Sequence, residues 1–287
     1  MSPPVSPIVA RWELALRLRR RREHVGVEVR TITQALGFSR NYWSAVENER
    51  KILSEESLVR LLDLFEFDDE ERDELLALRA AAKGRGWWAR YSAILDDELQ
   101  RFFGLEYGAH SVRGYESLLV PGLLQTAEYA RALMTSEVTL RRVEVDQFVE
   151  VRMHRQERLG GDSPLQLTEL ISEAALRQEI GGPPVLRRQL EHLTRMIEKH
   201  ADTIELRVIP FTAPACGLFG ASTVNIIDFE NPRLHTIIWQ ETVTSWGVID
   251  NPTNVRDISG AYRDGLRRAL SSEDSLALIH QRIKELG

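Results

Sequence analysis

The segment 36–51, LGFSRNYWSAVENERK, constrains the fold more than any other part of this chain. Its glycine and serine are two residues apart, and a short apolar pattern at helical spacing follows them. Gly37 is suited to ending one helix, and Ser39 to capping the next by accepting a hydrogen bond from a first-turn N–H. The segment therefore predicts two short helices joined by a tight turn. The buried side of the second helix is expected to hold Trp43, Ala45 and Val46.

Helix caps and apolar spacing continue on both sides of this segment. Helices are predicted over 8–24, 28–36 and 39–48, a fourth is capped by Ser54, and a fifth covers 68–82. A bundle of four or five short helices that contains a helix, a glycine turn and a second helix is the helix-turn-helix arrangement. Residues expected to face inward are Val29, Ile32, Ala35 and Leu36 in the second helix, and Leu58, Leu61, Leu62 and Phe65 in the fourth.

The front of the helix after Ser39 carries polar side chains suited to DNA. In a helix-turn-helix, this end of the second helix enters the major groove. Arg40 has the geometry to pair with guanine O6 and N7, Asn41 with adenine N6 and N7, and Ser44 lies one turn further on. These three residues are therefore predicted to contact bases. Phosphate contacts are predicted at Ser39, Tyr42, Arg50, Lys51, Arg19, Arg20 and Arg22.

The charge of the chain is distributed unevenly. Residues 1–53 hold ten Lys or Arg and five Asp or Glu, a balance of +5, whereas the remainder holds 27 and 38, a balance of −11. A basic region attracts phosphates and an acidic one repels them, so DNA is expected to bind the first part only. The arginine run RLRRRRE at 17–23 is also typical of a solvated helix face, and charge alone does not separate these two interpretations.

The segment GVEVRTITQALGFSRNYWSAVENERK, residues 26–51, resembles the xenobiotic-response-element (XRE, Cro-like) helix-turn-helix family. The resemblance implies base contacts at Arg40, Asn41, Ser44 and Ala45. Val29 stands where the family has a phosphate-binding glutamine, which implies one phosphate contact fewer. The alternative is a small helical protein-interaction domain that does not bind DNA. Positions that fall on the family pattern are Gly26, Ile32, Leu36, Gly37, Ser39, Val46 and Glu47.

The glycines at 84 and 86 mark a linker, 84–86, between a first domain over 1–83 and a second over 87–287. In the second domain, alternating segments predict strands at 165–172, 204–210, 222–229 and 235–241. Helices are predicted there at about 125–134, 137–159, 184–200, 253–270 and 273–286. The expected fold is mainly α with a smaller α+β part. It combines an N-terminal helix-turn-helix bundle of four to five helices with a larger α+β C-terminal domain that contains a modest sheet.

Several segments of the second domain resemble one further family. They are RGWW, VPGLLQTAEYARAL, EAALRQEIGGPPVLRRQLEHL, VIPF and LSSEDSLALI. Together they resemble the antitoxin-like (WhiJ-like) regulators of high-GC Gram-positive bacteria over nearly the whole chain. The resemblance implies a transcriptional regulator, often paired with a small separately encoded partner protein.

The second domain contains no recognisable catalytic or metal-binding pattern. Its histidines lack the HExxH spacing, no serine lies in a GxSxG motif, and Cys216 is the only cysteine. We therefore expect no enzyme activity, no catalytic residue, no cofactor and no metal. The pair His154 and Glu157 fits two polar groups on one solvated helix face. The apolar loops 118–124 and 214–219 are candidates for a ligand or partner site, or are connections that cover the core.

No apolar run approaches the roughly 20 residues that span a bilayer, and the N-terminus lacks the pattern of a secretory signal. A cytoplasmic protein without membrane contact is expected. We predict a sequence-specific transcriptional regulator that binds double-stranded DNA as a homodimer and whose C-terminal domain senses a protein partner or a small-molecule effector. The alternatives are an antitoxin-type module and an enzyme with a helix-turn-helix domain. The antitoxin-type module would sequester a small partner protein encoded nearby and bind only its own promoter.

Overall fold

The computed structural model describes residues 2–137 and 140–287. The chain divides into two compact units, of which the first is Pro4–Ala89 and the second is built from Arg90–Gly287. The linker at 84–86 stays a prediction. No helix in the described ranges combines the length and the apolar character needed to pass through a bilayer.

The first unit contains the five helices that the sequence predicted, within a few residues at each end. Ser39, Ser54 and Asp68 each accept a hydrogen bond from the backbone N–H three residues on, at 3.1, 3.1 and 2.9 Å. These caps are confirmed, and they satisfy N–H groups that no helical carbonyl reaches. The helices are α1 (Pro7–His24), α2 (Val29–Leu36), α3 (Arg40–Glu47), α4 (Glu55–Leu64) and α5 (Asp69–Ala82).

One apolar core joins these five helices. Trp43 of α3 is buried in this core, with its ring centroid 6.4 Å from that of Phe65 in an edge contact. The predicted inward residues of α4 are fully buried, but the prediction for Ala35 was wrong, because this residue is exposed. The buried stripe of α2 runs through Ile32 and Leu36 and leaves Ala35 to one side. Ala45 was also expected to be buried and is only partly so.

A six-stranded mixed sheet organises the second unit. Its order is β3-β2-β1-β4-β5-β6, with β1, β2 and β3 parallel and the other neighbours antiparallel. Parallel neighbours need long crossovers, and helices supply these between β1 and β2 and between β2 and β3. The strands are β1 (Ser111–Glu116), β2 (Gln166–Ser172), β3 (Ile204–Ile209), β4 (Thr223–Asp228), β5 (Ile237–Glu241) and β6 (Trp246–Ile249).

The helices of the second unit complete a fold that is mainly α with a smaller α+β part, which confirms the predicted fold class. The helix predicted over 137–159 is shorter in the structure, and residues 138 and 139 lie outside the described ranges. The helices are α6 (Asp97–Tyr107), α7 (Ala127–Ser136), α8 (Val145–Arg155), α9 (Glu173–Arg177), α10 (Pro183–Lys199), α11 (Pro252–Arg268) and α12 (Ser272–Glu285).

Four strands were predicted, and the sequence analysis missed β1 and β6. The omission of β1 matters most, because this strand lies near the middle of the sheet between β2 and β4. Its sequence, SVRGYE, contains a glycine and two charged residues, so it lacks the apolar alternation that indicates a strand.

The face of the sheet that packs against α11 is apolar. The Tyr262 hydroxyl of α11 donates to the Thr168 carbonyl at 3.0 Å, and the ring is buried beneath the helix. The buried cluster on this side consists of Tyr115, Leu170, Ile209, Leu218, Val224, Ile226, Ile238 and Tyr262.

Both apolar loops considered as ligand sites turn side chains into the protein. Val120 and Leu124 in the loop 118–124 are fully buried, and so is Leu218 in the loop 214–219. These loops therefore cover the core, and Leu118 and Phe219 are their exposed large apolar residues.

The opposite face of the sheet carries carboxylates, and we call it the charged face. Strand pairing sets Glu169 of β2 beside Gly114, and sets Glu116 of β1 beside Thr223, which in turn faces Glu241 of β5. Because side chains alternate between faces along a strand and paired residues share a face, all three carboxylates project to the same side.

Helices α6 and α8 cover the charged face. Phe102 of α6 stacks on Trp239 of β5, with ring centroids 4.5 Å apart. Arg155 of α8 donates two hydrogen bonds to the Glu106 carboxylate of α6, at 2.8 and 2.7 Å. Its guanidinium also lies 5.1 and 4.9 Å from the ring centroids of Phe102 and Phe103. Aromatic contacts and one bidentate ion pair therefore hold both helices in place.

Glu169 is a buried carboxylate that lacks a donor on one oxygen. Its side chain is 3% exposed, and Oε2 has no hydrogen-bond partner. A Cβ atom on Gly114 would lie 2.0 Å from that oxygen, so only glycine leaves room for the carboxylate above β1. Burial, together with the nearby Glu106 carboxylate, raises the pKa of Glu169 to about 8.

In the wild type, we expect the free energy of unfolding to fall as the pH is raised from 5 to 8, and we expect Glu169→Gln to make this fall smaller. The ordinary pKa of a glutamate is 4.5, whereas folded Glu169 has a pKa of about 8. In that window the unfolded chain has released the proton that the folded chain keeps, so the free energy of unfolding falls as pH rises. Glutamine keeps the shape without the charge, and the variant should gain on the order of a few kcal/mol at pH 8. Urea denaturation at three pH values measures this.

The matched control is Glu230→Gln, at an exposed position of the same unit. It should follow the pH dependence of the wild type. An unchanged slope in Glu169→Gln would show that Glu169 is ionised in the folded protein at neutral pH.

Candidate nucleic-acid interface

The turn between α2 and α3 sets the direction of α3. Gly37 has a φ of +71°, in the left-handed region, and no atom lies within 4 Å of the position of a Cβ there. Glycine is therefore favoured by backbone conformation and not by crowding. Three residues, 37–39, separate the two helices.

The front of α3 presents the predicted base-contacting residues to solvent. Arg40, Asn41 and Ser44 are exposed, while Trp43 beneath them is 1% exposed and Val46 is 4% exposed. No hydrogen bond joins the side chains of Arg40 or Asn41 to any other residue in the part of the chain that the structure describes. The helix is thus anchored on one side and offers donors and acceptors on the other.

At the end of α3, Asn48 belongs to the same exposed polar surface, and the sequence analysis missed it. The Asn48 side chain donates to the Ser44 carbonyl at 2.7 Å and to the Ser44 hydroxyl at 3.3 Å. It is exposed and lies one turn beyond Ser44, so it extends the same polar surface. Ala45 is partly buried, and its carbonyl accepts from the N–H groups of Arg50 and Lys51 at 2.8 and 3.0 Å.

The predicted phosphate contacts near α3 form one group. The Lys51 ammonium lies 5.0 Å from the centroid of the Tyr42 ring, which in turn lies 4.5 Å from that of Phe38. Lys51 and Arg50 are exposed, as is Ser39 at the helix cap. The contact with the Tyr42 ring holds the lysine beside the exposed face of α3, where a cation can approach the DNA backbone.

Most arginines of the run 17–23 make contacts within the protein. Arg22 Nε donates to the Glu47 carboxylate at 2.8 Å, and Arg19 donates to the Glu47 carbonyl at the end of α3. Arg21 Nε donates to the Phe65 carbonyl at the end of α4 at 2.8 Å. Cations at helix C-termini satisfy free carbonyls and interact favourably with the helix dipole. The hydrogen bonds from Arg19 and Arg22 to Glu47, which the sequence spacing did not predict, hold α3 against α1.

The remaining residues of this surface lie on α1 and α2. Arg20 is exposed, whereas Arg17 is buried and pairs with Glu74 at 2.6 Å. Val29, at the start of α2, packs against the core, and the adjacent Arg30 is an exposed cation outside the predicted set.

The residues in the described ranges include no group of three or more His, Cys, Asp or Glu that could hold a metal ion. Cys216 is a free thiol in a partly buried position.

A capped, two-turn helix packed across a preceding helix, with polar side chains facing outward from its front, defines the class of helix-turn-helix proteins. Comparison with protein-family models agrees, because the model described as "Helix-turn-helix domain" matches residues 13–75. The chain belongs to the family described as "Domain of unknown function (DUF5753)", whose model matches residues 99–281. Searches of curated proteins and of solved structures returned no match. The helix-turn-helix domain makes DNA the partner of the first unit.

We expect Arg22→Met to lower stability and to leave the salt dependence of DNA binding unchanged. The substitution removes the partner of a mostly buried Glu47 carboxylate, which should cost about 1 kcal/mol of unfolding free energy. Urea denaturation of the full chain measures the first effect, and binding to a non-specific duplex at several salt concentrations measures the second.

The matched variant is Arg50→Met, at an exposed position beyond α3. It should leave stability unchanged and reduce the salt slope by about 0.9, the value for one phosphate contact. A similar fall in slope for Arg22→Met would instead support the phosphate contact that the sequence predicted at this position.

Proposed function

We propose that this protein is a sequence-specific transcriptional regulator that reads DNA with the front of α3. The observation that carries the proposal is the exposure of Arg40 and Asn41 on a helix whose opposite side buries Trp43. Side chains held in this way can enter the major groove without any rearrangement of the domain.

Arg40 and Asn41 each have the hydrogen-bonding groups that pair with the major-groove edge of one base. The Arg40 guanidinium can donate two hydrogen bonds to the O6 and N7 atoms of guanine, and the Asn41 amide can pair with N6 and N7 of adenine. Ser44, Ala45 and Asn48 line the next turn and contact neighbouring base edges in this proposal.

Phosphate attraction is proposed to come from Ser39, Tyr42, Arg50, Lys51, Arg19 and Arg20, whereas Arg22 is proposed to hold α3 through Glu47. The charge balance of +5 over residues 1–53 supports this, because the remainder of the chain carries −11 and repels DNA. A protein with this role acts in the cytoplasm, where its DNA lies, and needs no catalytic step.

The regulator is proposed to act as a homodimer. One recognition helix reads only a few base pairs, and a two-fold pair on half-sites about 34 Å apart doubles the sequence that is read. The second unit is proposed to supply the dimer contacts and to sense a partner protein or a small effector, because a large acidic domain adds nothing to the attraction of phosphates.

We expect Arg40→Ala and Asn41→Ala each to cost about 1–3 kcal/mol in binding to the preferred site and to relax specificity at one base pair. The preferred site is first selected from random duplexes and located by footprinting. The affinity of each variant for that site is then measured by titration at fixed salt concentration. Lys51→Ala should instead weaken binding to all sequences equally.

The control for arginine removal is Arg263→Ala, at an exposed position in α11. It should leave affinity and specificity unchanged. The absence of any preferred site, or equal effects of all four variants, would contradict the proposal.

The antitoxin alternative makes a separate prediction. A module that mainly sequesters a small protein should co-purify with the product of a neighbouring gene and protect cells from it, and its bound sites should be confined to its own promoter. Genome-wide mapping of bound sites, with and without the neighbouring genes, distinguishes that outcome from a regulator with several targets.

A further inference from the structure

The sheet of the second unit has one covered edge and one open edge. β3 lies at the covered edge, where the Val208 N–H donates to the Ser275 hydroxyl of α12 at 3.0 Å and the Val208 carbonyl accepts from the Leu270 N–H at 2.9 Å. β6 lies at the opposite edge. A strand in this position leaves half of its main-chain groups without a partner, unless another part of the chain bonds to them.

The main-chain groups of β6 point alternately towards β5 and towards the open edge. The hairpin between the two strands closes with a bond from the Thr242 N–H to the Ser245 carbonyl at 2.8 Å. Because hydrogen-bonded pairs alternate with pairs that are not bonded, Gly247 bonds to β5, whereas Trp246 and Val248 direct their N–H and C=O groups outward. Within the described ranges, no residue bonds to these outward groups.

The edge of β6 lacks the features that commonly protect an exposed strand. Residues 242–249, TVTSWGVI, contain no charged residue and no proline. Each residue of β6 is partly accessible, and Val243 in the hairpin turn is 79% exposed. The Trp246 indole N–H donates to the Asp96 carboxylate at 3.1 Å and holds β6 against the start of α6. An uncharged edge with free donors and acceptors is a template for another strand.

The outward groups of β6 are complementary to those of a second β6. When two copies are antiparallel with Gly247 opposite Gly247, Trp246 of each copy lies opposite Val248 of the other. Both of these pairs can exchange two hydrogen bonds, so every outward group of both strands gains a partner. Asp250 then lies opposite Thr244 and not opposite a second carboxylate. A two-fold interface requires self-complementarity of this kind, which a strand from a different protein would not need.

Gly247 lies on the two-fold axis of this arrangement. Opposite residues in such a non-hydrogen-bonded pair have Cα atoms about 4.5 Å apart, so side chains at this position would touch. Within one chain, a Cβ atom on Gly247 would meet nothing within 4 Å, and its φ is not positive. A substitution at Gly247 should therefore change the contact between two copies more than the fold of one copy.

We propose that β6 pairs antiparallel with β6 of a second copy of this chain, with Gly247 opposite Gly247, so that two six-stranded sheets join into one continuous sheet. This inference rests on the homodimer of the proposed function and specifies its contact.

The first test exchanges charges across the axis. Gly247→Lys and Gly247→Glu are each prepared as the full chain, and sedimentation velocity over a concentration series gives the Kd of dimerisation at low salt, where exposed charges are little screened. The heterodimer in an equimolar mixture should have a Kd at least threefold lower than that of either variant alone. Lysine opposite glutamate attracts, whereas two identical charges directly opposite each other repel.

The matched control is the pair Gly220→Lys and Gly220→Glu, at an exposed position of the same unit where a Cβ atom also meets nothing within 4 Å. These two variants should have the same Kd alone and mixed. Equal Kd values for the Gly247 variants alone and mixed would overturn the proposed register.

The second test removes hydrogen bonds between the copies. Val248→Pro deletes an outward N–H that the pairing with β5 does not use, and the dimer loses one bond for each copy. Its Kd should rise at least tenfold. Val248→Ala shortens the side chain but keeps the N–H, so its Kd should stay within threefold of that of the wild type. Circular dichroism and urea denaturation verify that both variants are folded. Equal dimerisation of the two would overturn the proposal.

The wild-type chain separates the possible failures. A wild type that stays monomeric at all concentrations would contradict both this contact and the homodimer of the proposed function. A wild-type dimer that the substitutions at Gly247 and Val248 leave unchanged would contradict this contact alone.

Discussion

The proposed DNA-reading surface depends on how the eight-residue helix α3 is held. A helix as short as α3 is not stable alone in water, because the nucleation of a helix costs more than two turns of hydrogen bonds return. Its stability and direction come from outside: Trp43 and Val46 anchor it in the core, Ser39 caps its start, and arginines of α1 hold its end. Only with all these contacts can Arg40 and Asn41 remain exposed in one orientation.

The arginines of α1 also have a structural role. Arg19, Arg21 and Arg22 bind groups at the ends of α3 and α4, where carbonyls lack helical partners. The chain leaves both helices through a non-glycine residue with positive φ, Glu49 after α3 and Glu66 after α4. Such residues are unfavourable, and neighbouring contacts from the arginines help to stabilise these two exits.

Charged side chains have different surroundings in the two units. In the first unit, cations lie at the surface or close the ends of helices, and the reading helix stays accessible. In the second unit, carboxylates and arginines are enclosed between the sheet and two helices, where ionisation is costly. A buried carboxylate such as Glu169, which lacks a donor on one oxygen, weakens the fold, whereas the exposed cations of the first unit carry no such cost.

The sequence by itself determined the five helices of the first unit, their caps at Ser39, Ser54 and Asp68, and the polar front of α3, because caps and helical periodicity are local. It also determined the fold class and four of the six strands. Only the tertiary structure decided that SVRGYE is a strand near the centre of the sheet, since its pairing partners are distant in sequence. Tertiary structure likewise decided the pairing of Arg22 with Glu47 and the burial of Glu169 above Gly114. Those contacts join residues whose spacing along the chain carries no signal, because they exist only once the elements have packed.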